Sequence, residues 1–341
     1  MNFGPRPVGE AEGTILAHSL KLGGRKLAKG TVLGAADIAA LRINGFRTVT
    51  VASLEPGDVG EDAAAARLAD ALVPDPAEAG LRLTPPHAGR VNLVADRPGI
   101  VALDRAALHA LNRVDPAITL ATLPDHARVA PGTLVGTVKI ISYAVAGALL
   151  EAATKSARAA IRVRPVVLRS ACLILTRAPG DGPKLAEKGR EAVRKRLAAL
   201  GIELCETVEV PHEEAALSGA IGACDEALIL ILTGAATSDL HDTAPQALRR
   251  AGGHVARFGM PVDPGNLLFH GSLRGRPVIG LPGCARSPAL NGADWVLERL
   301  ACGLAVTDED IAAMGVGGLL KEIPIRPQPR DRGPAREDEP A

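Results

Sequence analysis

From Pro165 onward, aliphatic runs one strand long alternate with amphipathic stretches one helix long. A strand apolar on both faces must be covered on both, so this alternation predicts a mostly parallel sheet between helices, a three-layer α/β/α domain. The spacing predicts strands over Val166–Thr176, Leu204–Val210, Ala227–Leu232, Val255–Phe258 and Pro277–Leu281. Between them lie predicted helices. One opens at Asp181-Gly182-Pro183, carries Leu185, Val193, Leu197 and Leu200 on one face, pairs Glu191 with Lys195, and stops at Gly201. Others cover Glu213–Ala223, Thr243–Ala251 and Ser287–Leu300.

The preceding residues follow a different plan. Thr14–Leu22 is strand-like up to the Gly23-Gly24 turn, Ala35–Asn44 is helical with Gly45 as its stop, and Thr48–Ala52 alternates as a strand. This predicts a small N-terminal α/β unit over residues 1–62. Residues 63–164 read as an α+β insert. It has helices at Ala63–Leu72 and Arg105–Leu111, strands at Arg90–Ala95, Gly99–Leu103, Ile118–Leu123 and Thr133–Ile141, and helical propensity over Ala144–Ala160. The α/β/α domain then occupies 165–305 and an extension 306–324. Residues 325–341, rich in Pro, Arg, Asp and Glu, are predicted to be disordered.

Composition excludes several function classes. Aromatics are 2% of 341 residues, too few for the stacking platforms of single-stranded nucleic-acid binding. A net charge of +1 gives no field toward nucleic acid or membrane. The five cysteines show no C-x-x-C pair and no His at zinc spacing, and three sit in apolar runs as core thiols. The first residues carry no apolar signal segment, and the longest apolar runs are too short to span a bilayer. These features predict a soluble cytoplasmic protein.

In an open parallel sheet, ligands bind beyond the carboxyl ends of the strands. Four predicted loops fall there: 177–183, 233–242, 260–270 and 282–288. In the second, a buried strand runs directly into Thr233, Gly234, Ala235, Ala236, Thr237, Ser238, Asp239, Leu240, His241 and Asp242. Small residues allow close backbone approach, hydroxyls offer donors, and the following helix start offers amides and a positive dipole end. That is the chemistry of a phosphate cradle. It is also the composition of an ordinary strand-to-helix turn, in which Asp242 or Thr243 is simply the helix cap. Asp239 and Asp242 are candidate ligands for a hard cation or the amino edge of a heterocycle. Asp263-Pro264-Gly265-Asn266 and Leu281-Pro282-Gly283-Cys284-Ala285-Arg286 supply two further turns on the same edge, with Arg286 a candidate phosphate partner. Cys284, His241 and His270 are weaker candidates for thiol or acid–base chemistry.

These three loops resemble those of the molybdopterin-binding domain of the MoeA/MogA-like proteins of molybdenum cofactor biosynthesis. Thr233 and Gly234 match the start of that family's small-Gly-Gly-x-Ser-x-Gly-x-x-Asp signature. Ala235 stands for its second Gly, Thr237 for its Ser and Asp242 for its final Asp, while Asp239 replaces its third Gly. Pro264-Gly265 and Leu281-Pro282-Gly283 match its two Pro-Gly turns, and residues 1–60 are similar to the segment preceding the domain in MoeA-like members. The resemblance implies a pterin phosphate ligand, molybdopterin or the molybdenum cofactor, held by Thr233, Gly234, Ala235, Thr237, Ser238, Asp239, Asp242, Pro264, Gly265, Pro282, Gly283 and Arg286. It also implies magnesium, with Asp242 the best ligand, and a tendency to homo-oligomers.

Members that insert molybdate carry Lys on both sides of the first Pro-Gly turn. Here those positions are Asp263 and Asn266, which removes the clamp an oxyanion needs. The expected activity is therefore binding or handling of the cofactor. If the chain is an enzyme, the resemblance implies a transferase. Two alternatives stand beside this: a regulator that binds a nucleotidyltransferase or a molybdoenzyme maturation protein, and a magnesium-dependent nucleotide-processing enzyme.

Overall fold

The computed structural model describes residues 1–180 and 182–320. The predicted disordered tail, the end of the extension and Asp181 lie outside the described residues. The described residues form two compact units, 1–166 and 167–320.

The first unit has two hydrophobic clusters. Val8, Leu16, Leu33, Leu41 and Val51 lie in one, beneath an antiparallel sheet of Asn2–Pro7, Thr48–Ser53 and Ile15–Leu16. A hairpin of Leu20–Leu22 and Arg25–Leu27 turns through Gly23 and Gly24, both at positive φ, as a two-residue turn of this kind requires. The second cluster includes Leu68, Leu93, Leu111, Ile118, Val138 and Leu150. It is built from the helices Glu61–Leu72, Arg105–Asn112 and Gly147–Ser156 with the strands between them. The helix expected over Ala144–Ala160 is shorter. Ala144–Ala146 instead pairs with Asp58–Gly60, and Gly147 then packs so close to the carbonyl of Gly57 that a Cβ would lie 2.8 Å from it. Long-range pairing overrides alanine's helix propensity there.

The second unit runs β1 (Ser170–Arg177), α1 (Pro183–Ala198), β2 (Glu203–Pro211), α2 (Glu214–Ala223), β3 (Leu228–Leu232), α3 (Thr243–Arg250), β4 (His254–Phe258), β5 (Phe269–Leu273), β6 (Arg276–Leu281), α4 (Gly292–Ala301) and α5 (Asp308–Ala313). One six-stranded sheet has the order β2-β1-β3-β6-β5-β4. Strands β2, β1, β3 and β6 pair in parallel, whereas β5 runs antiparallel to β6 and to β4, so the sheet is mixed. β3 is central, and all five of its residues are buried. Cys172, Ile174, Ile229, Ile231 and Val278 pack with Leu217 and Ile221 of α2 and Ala247 and Leu248 of α3. The alternate residues face α1, where a Cβ on Gly189 would lie 2.7 Å from Leu232 Cδ2. Both ladders of β3 end in register, with Leu175 and Leu281 both opposite Leu232.

Three expectations are corrected. The first strand starts at Ser170 rather than Val166. The last helix starts at Gly292, because Asn291 is its cap and residues 283–286 form a separate 3₁₀ turn. Strand β5 begins inside the stretch expected to be a loop. Its Phe-His-Gly-Ser-Leu run lacks regular alternation, and Gly271 is needed where a Cβ would sit 1.9 Å from the His254 carbonyl. His270 is therefore no loop residue: it is 4% exposed inside β5, and burial lowers its pKa. Cys172, Cys224 and Cys302 are buried, and the sulfurs of Cys172 and Cys224 pair with Cα atoms 6.6 Å apart. Among the described residues no helix is long and apolar enough to cross a membrane.

The β5–β6 contact gives a direct test. A Cβ on Gly280 would lie 1.8 Å from the Phe269 ring. Gly280→Ala is expected to cost about 1–3 kcal/mol in urea unfolding, with part of the loss recovered in the Gly280→Ala/Phe269→Leu double variant. Unchanged stability in the single variant would contradict this packing.

Candidate functional site

The loop after β3 begins where both strand ladders stop. Thr233 and Thr237 are buried, whereas Ala235, Ala236, Ser238, Asp239 and Leu240 are exposed. The Gly234 amide donates to Thr176 Oγ1 at the end of β1, 3.0 Å away. Asp242 is the N-cap of α3: Oδ1 accepts from the Thr243 amide at 2.7 Å, and Oδ2 accepts from the Ser238 amide at 3.0 Å. Partial burial raises the Asp242 pKa. The Ser238 and Thr243 amides and the Ser238 hydroxyl outweigh it, so the carboxyl stays below the usual range. Asp239 Oδ1 accepts from the His241 amide at 2.7 Å and so shapes the turn.

With those amides engaged, the amides of Ala235, Ala236, Thr237, Asp239 and Leu240 find no acceptor among the described residues. Unpaired backbone N–H groups are the kind of donor that can receive an anion.

Arg286 is half-buried, and its Nη2 donates to the Thr233 carbonyl at 2.7 Å. It thus ties the 282–288 turn to the start of the loop. Pro282 is buried, Gly283 is exposed, and the exposed Cys284 accepts a hydrogen bond from Asn291 Nδ2 at 3.1 Å. The next residue, Gly292, donates to the Pro264 carbonyl at 2.8 Å. Gly265, at φ 146°, lies where a Cβ would be 2.8 Å from the Gly292 nitrogen, so only glycine fits. Contacts therefore run from Thr233 through Arg286, Asn291 and Gly292 to Pro264. Asp263 is held by the extension: its amide donates to Gly318 and its carbonyl accepts from Leu320. Asn266 is exposed, and its side chain reaches the Met260 carbonyl at 3.5 Å. His241 is exposed on the first loop, and His270 lies in β5.

Two residues of this edge escape a reading of the sequence. Arg196, on the basic last turn of α1, turns inward. Its Nε meets Asp294 Oδ1 at 2.6 Å, Nη1 meets the Ala285 carbonyl at 2.8 Å, and Nη2 meets the carbonyls of Ser287 at 2.8 Å and Ala289 at 3.1 Å. No periodicity distinguishes it from Arg194, which pairs with Glu191 on the surface. His212 follows β2, with Nδ1 2.8 Å from Thr176 Oγ1. Its place just past a strand's carboxyl end is the one signal the sequence offers. The described residues that could gather round a metal as a group are Cys172, Cys224 and Glu226, and none of them belongs to these loops.

Two outcomes follow. Arg196→Met, which strands Asp294 and three carbonyls, is expected to cost about 3–5 kcal/mol in urea unfolding. Asp242→Ala is expected to cost about 1 kcal/mol at neutral pH through loss of the cap. Because the folded pKa of Asp242 is lowered, this contribution is complete above the ordinary carboxyl pKa of about 4 and is lost as pH falls through the folded value. The two unfolding curves should converge in acid.

Residues 183–301 match the family model described as "Probable molybdopterin binding domain". Residues 5–53 match a model described as "Domain of unknown function (DUF8806)". No curated protein matches the chain. Among solved structures, the molybdopterin biosynthesis MoeA protein of Pyrococcus horikosii is similar at 14% identity and TM-score 0.31, over 89% of this chain and 76% of its own. The molybdopterin biosynthesis enzyme MoaB of Thermus thermophilus aligns at 18% identity and TM-score 0.26, over 46% of this chain and 100% of its own. A molybdenum cofactor biosynthesis protein of Pyrococcus furiosus aligns at 11% identity and TM-score 0.22, over 92% of this chain and 65% of its own. Over residues 183–301 the chain is thus similar to the family described as a probable molybdopterin binding domain.

Proposed function

We propose that the loop from Thr233 to Asp242 holds the phosphate end of molybdopterin, and that the chain binds or handles this cofactor during its biosynthesis. The observation that carries the reading is the set of unengaged amides at Ala235, Ala236, Thr237, Asp239 and Leu240, directly past the central strand. Backbone N–H groups bind a phosphate oxygen without a cationic side chain. The turns at Pro264-Gly265 and Pro282-Gly283 then border the pterin.

Magnesium, which the family resemblance implies, fits Asp242 as a single protein ligand. The carboxylate is ionised, and Oδ1, which accepts only the Thr243 amide, retains a lone pair, whereas Oδ2 accepts both the amide and the hydroxyl of Ser238. Magnesium bound through one carboxylate keeps several waters and takes phosphate oxygens as further ligands, which is how it would neutralise ligand charge here. Asp263 and Asn266 in place of a pair of lysines favour binding or transfer of the cofactor over molybdate insertion.

The reading is tested with molybdopterin added to the full chain, following the melting temperature and pterin fluorescence. Stabilisation is expected in the wild type. It should vanish in Ala236→Glu, which places a carboxylate on the exposed loop and leaves the unliganded stability within about 0.5 kcal/mol. A wild-type chain that neither retains nor is stabilised by the pterin phosphate would refute it.

A further inference from the structure

We infer that His212 is a side-chain donor of the anion site, and that Thr176 sets which ring nitrogen carries its proton. The inference rests on the reading that the loop after β3 receives a phosphate end.

Thr176 is 3% exposed, so its hydroxyl must find partners within the protein. A hydroxyl has one proton to give and two lone pairs to receive with. One lone pair accepts the Gly234 amide at 3.0 Å. The remaining neighbour is His212 Nδ1 at 2.8 Å, and no other acceptor for the Thr176 proton exists among the described residues. Thr176 therefore donates to Nδ1. Nδ1 then carries no hydrogen, and the neutral ring bears its proton on Nε2. The backbone holds the ring in place as well, since the His212 amide donates to the Arg177 carbonyl at 2.9 Å.

The consequence is a half-exposed imidazole with a fixed N–H donor, one hydrogen-bonded step from Gly234 through Thr176. Arg177 Nε lies 3.3 Å from Glu209, and Arg286 donates to Thr233. An Nε2–H on a ring tied through Thr176 to the start of the loop suits a phosphate monoester oxygen and makes no demand for a lysine. Thr176 is a positioning residue in this scheme and does not itself touch the ligand.

Inorganic phosphate serves as the probe, titrated into the full chain and followed by phosphorus NMR. His212→Leu is expected to weaken binding about 10- to 100-fold, the loss of one hydrogen bond to a charged acceptor. His212→Gln, whose amide nitrogen stands near the ring Nε2 position, should keep most of it. Nitrogen-15 spectra of the wild-type ring should show the Nε2–H form, and Thr176→Val should convert it to a mixture of both forms. A wild-type ring protonated on Nδ1 would overturn the inference whatever the variants do. Phosphate binding that is equal in wild type and His212→Leu overturns it and leaves the cradle standing. A wild type that binds no phosphate removes both.

Discussion

Parallel pairing engages the backbone of β3 on both sides, against β1 and against β6, and both ladders end at Leu232. A buried backbone group must be paired, so a central strand tolerates no interruption. Past Leu232 the constraint is lifted at once. Gly234 finds a side chain, Ser238 and Thr243 find Asp242, and the amides of Ala235, Ala236, Thr237, Asp239 and Leu240 find no acceptor among the described residues. The proposed ligand edge thus comes from the way the sheet ends, and no separate structural device is added to make it.

What surrounds that edge is held by a few directional contacts. Arg196 gathers the carbonyls of Ala285, Ser287 and Ala289 with the carboxylate of Asp294. These four acceptors, with the Ala192 carbonyl of its own helix as a fifth, leave little freedom to the turn that carries Pro282 and Gly283. Arg286 joins this turn to Thr233, and Asn291 and Gly292 join it to Cys284 and Pro264. The backbone of Asp263 is bracketed by Gly318 and Leu320. The proposed site therefore relies on amides and on one half-exposed imidazole, in keeping with a chain whose net charge is only +1.

Local chemistry makes much of this fold legible in the sequence. The uninterrupted Leu228–Leu232 run marks a strand covered on both faces, Pro183 and Gly201 bracket a helix, and Asp242 precedes one as a cap. Elements decided by distant partners are not legible. Phe269–Leu273 is a strand because β4 and β6 flank it, and Ala144–Ala146 because Asp58–Gly60 does. In the site, the loop amides and Asp242 follow from strand-then-helix order. Arg196 and His212 acquire their roles only through residues 98 and 36 positions away in the chain. Side-chain type alone does not distinguish an inward-turned arginine from a solvated one.

The sequence separations of these contacts bear on how the site comes into being during folding. Thr176 and Gly234 are 58 residues apart, Thr233 and Arg286 are 53 apart, and Arg196 reaches Asp294 across 98. Closing such loops costs chain entropy before any contact offsets it, so these pairings belong to the slow, late part of assembly. A chain with only its central strands in place lacks the turn that Arg286 and Arg196 hold against the proposed edge. Any molecule that recognises the finished edge consequently favours the native state alone and raises apparent stability by mass action.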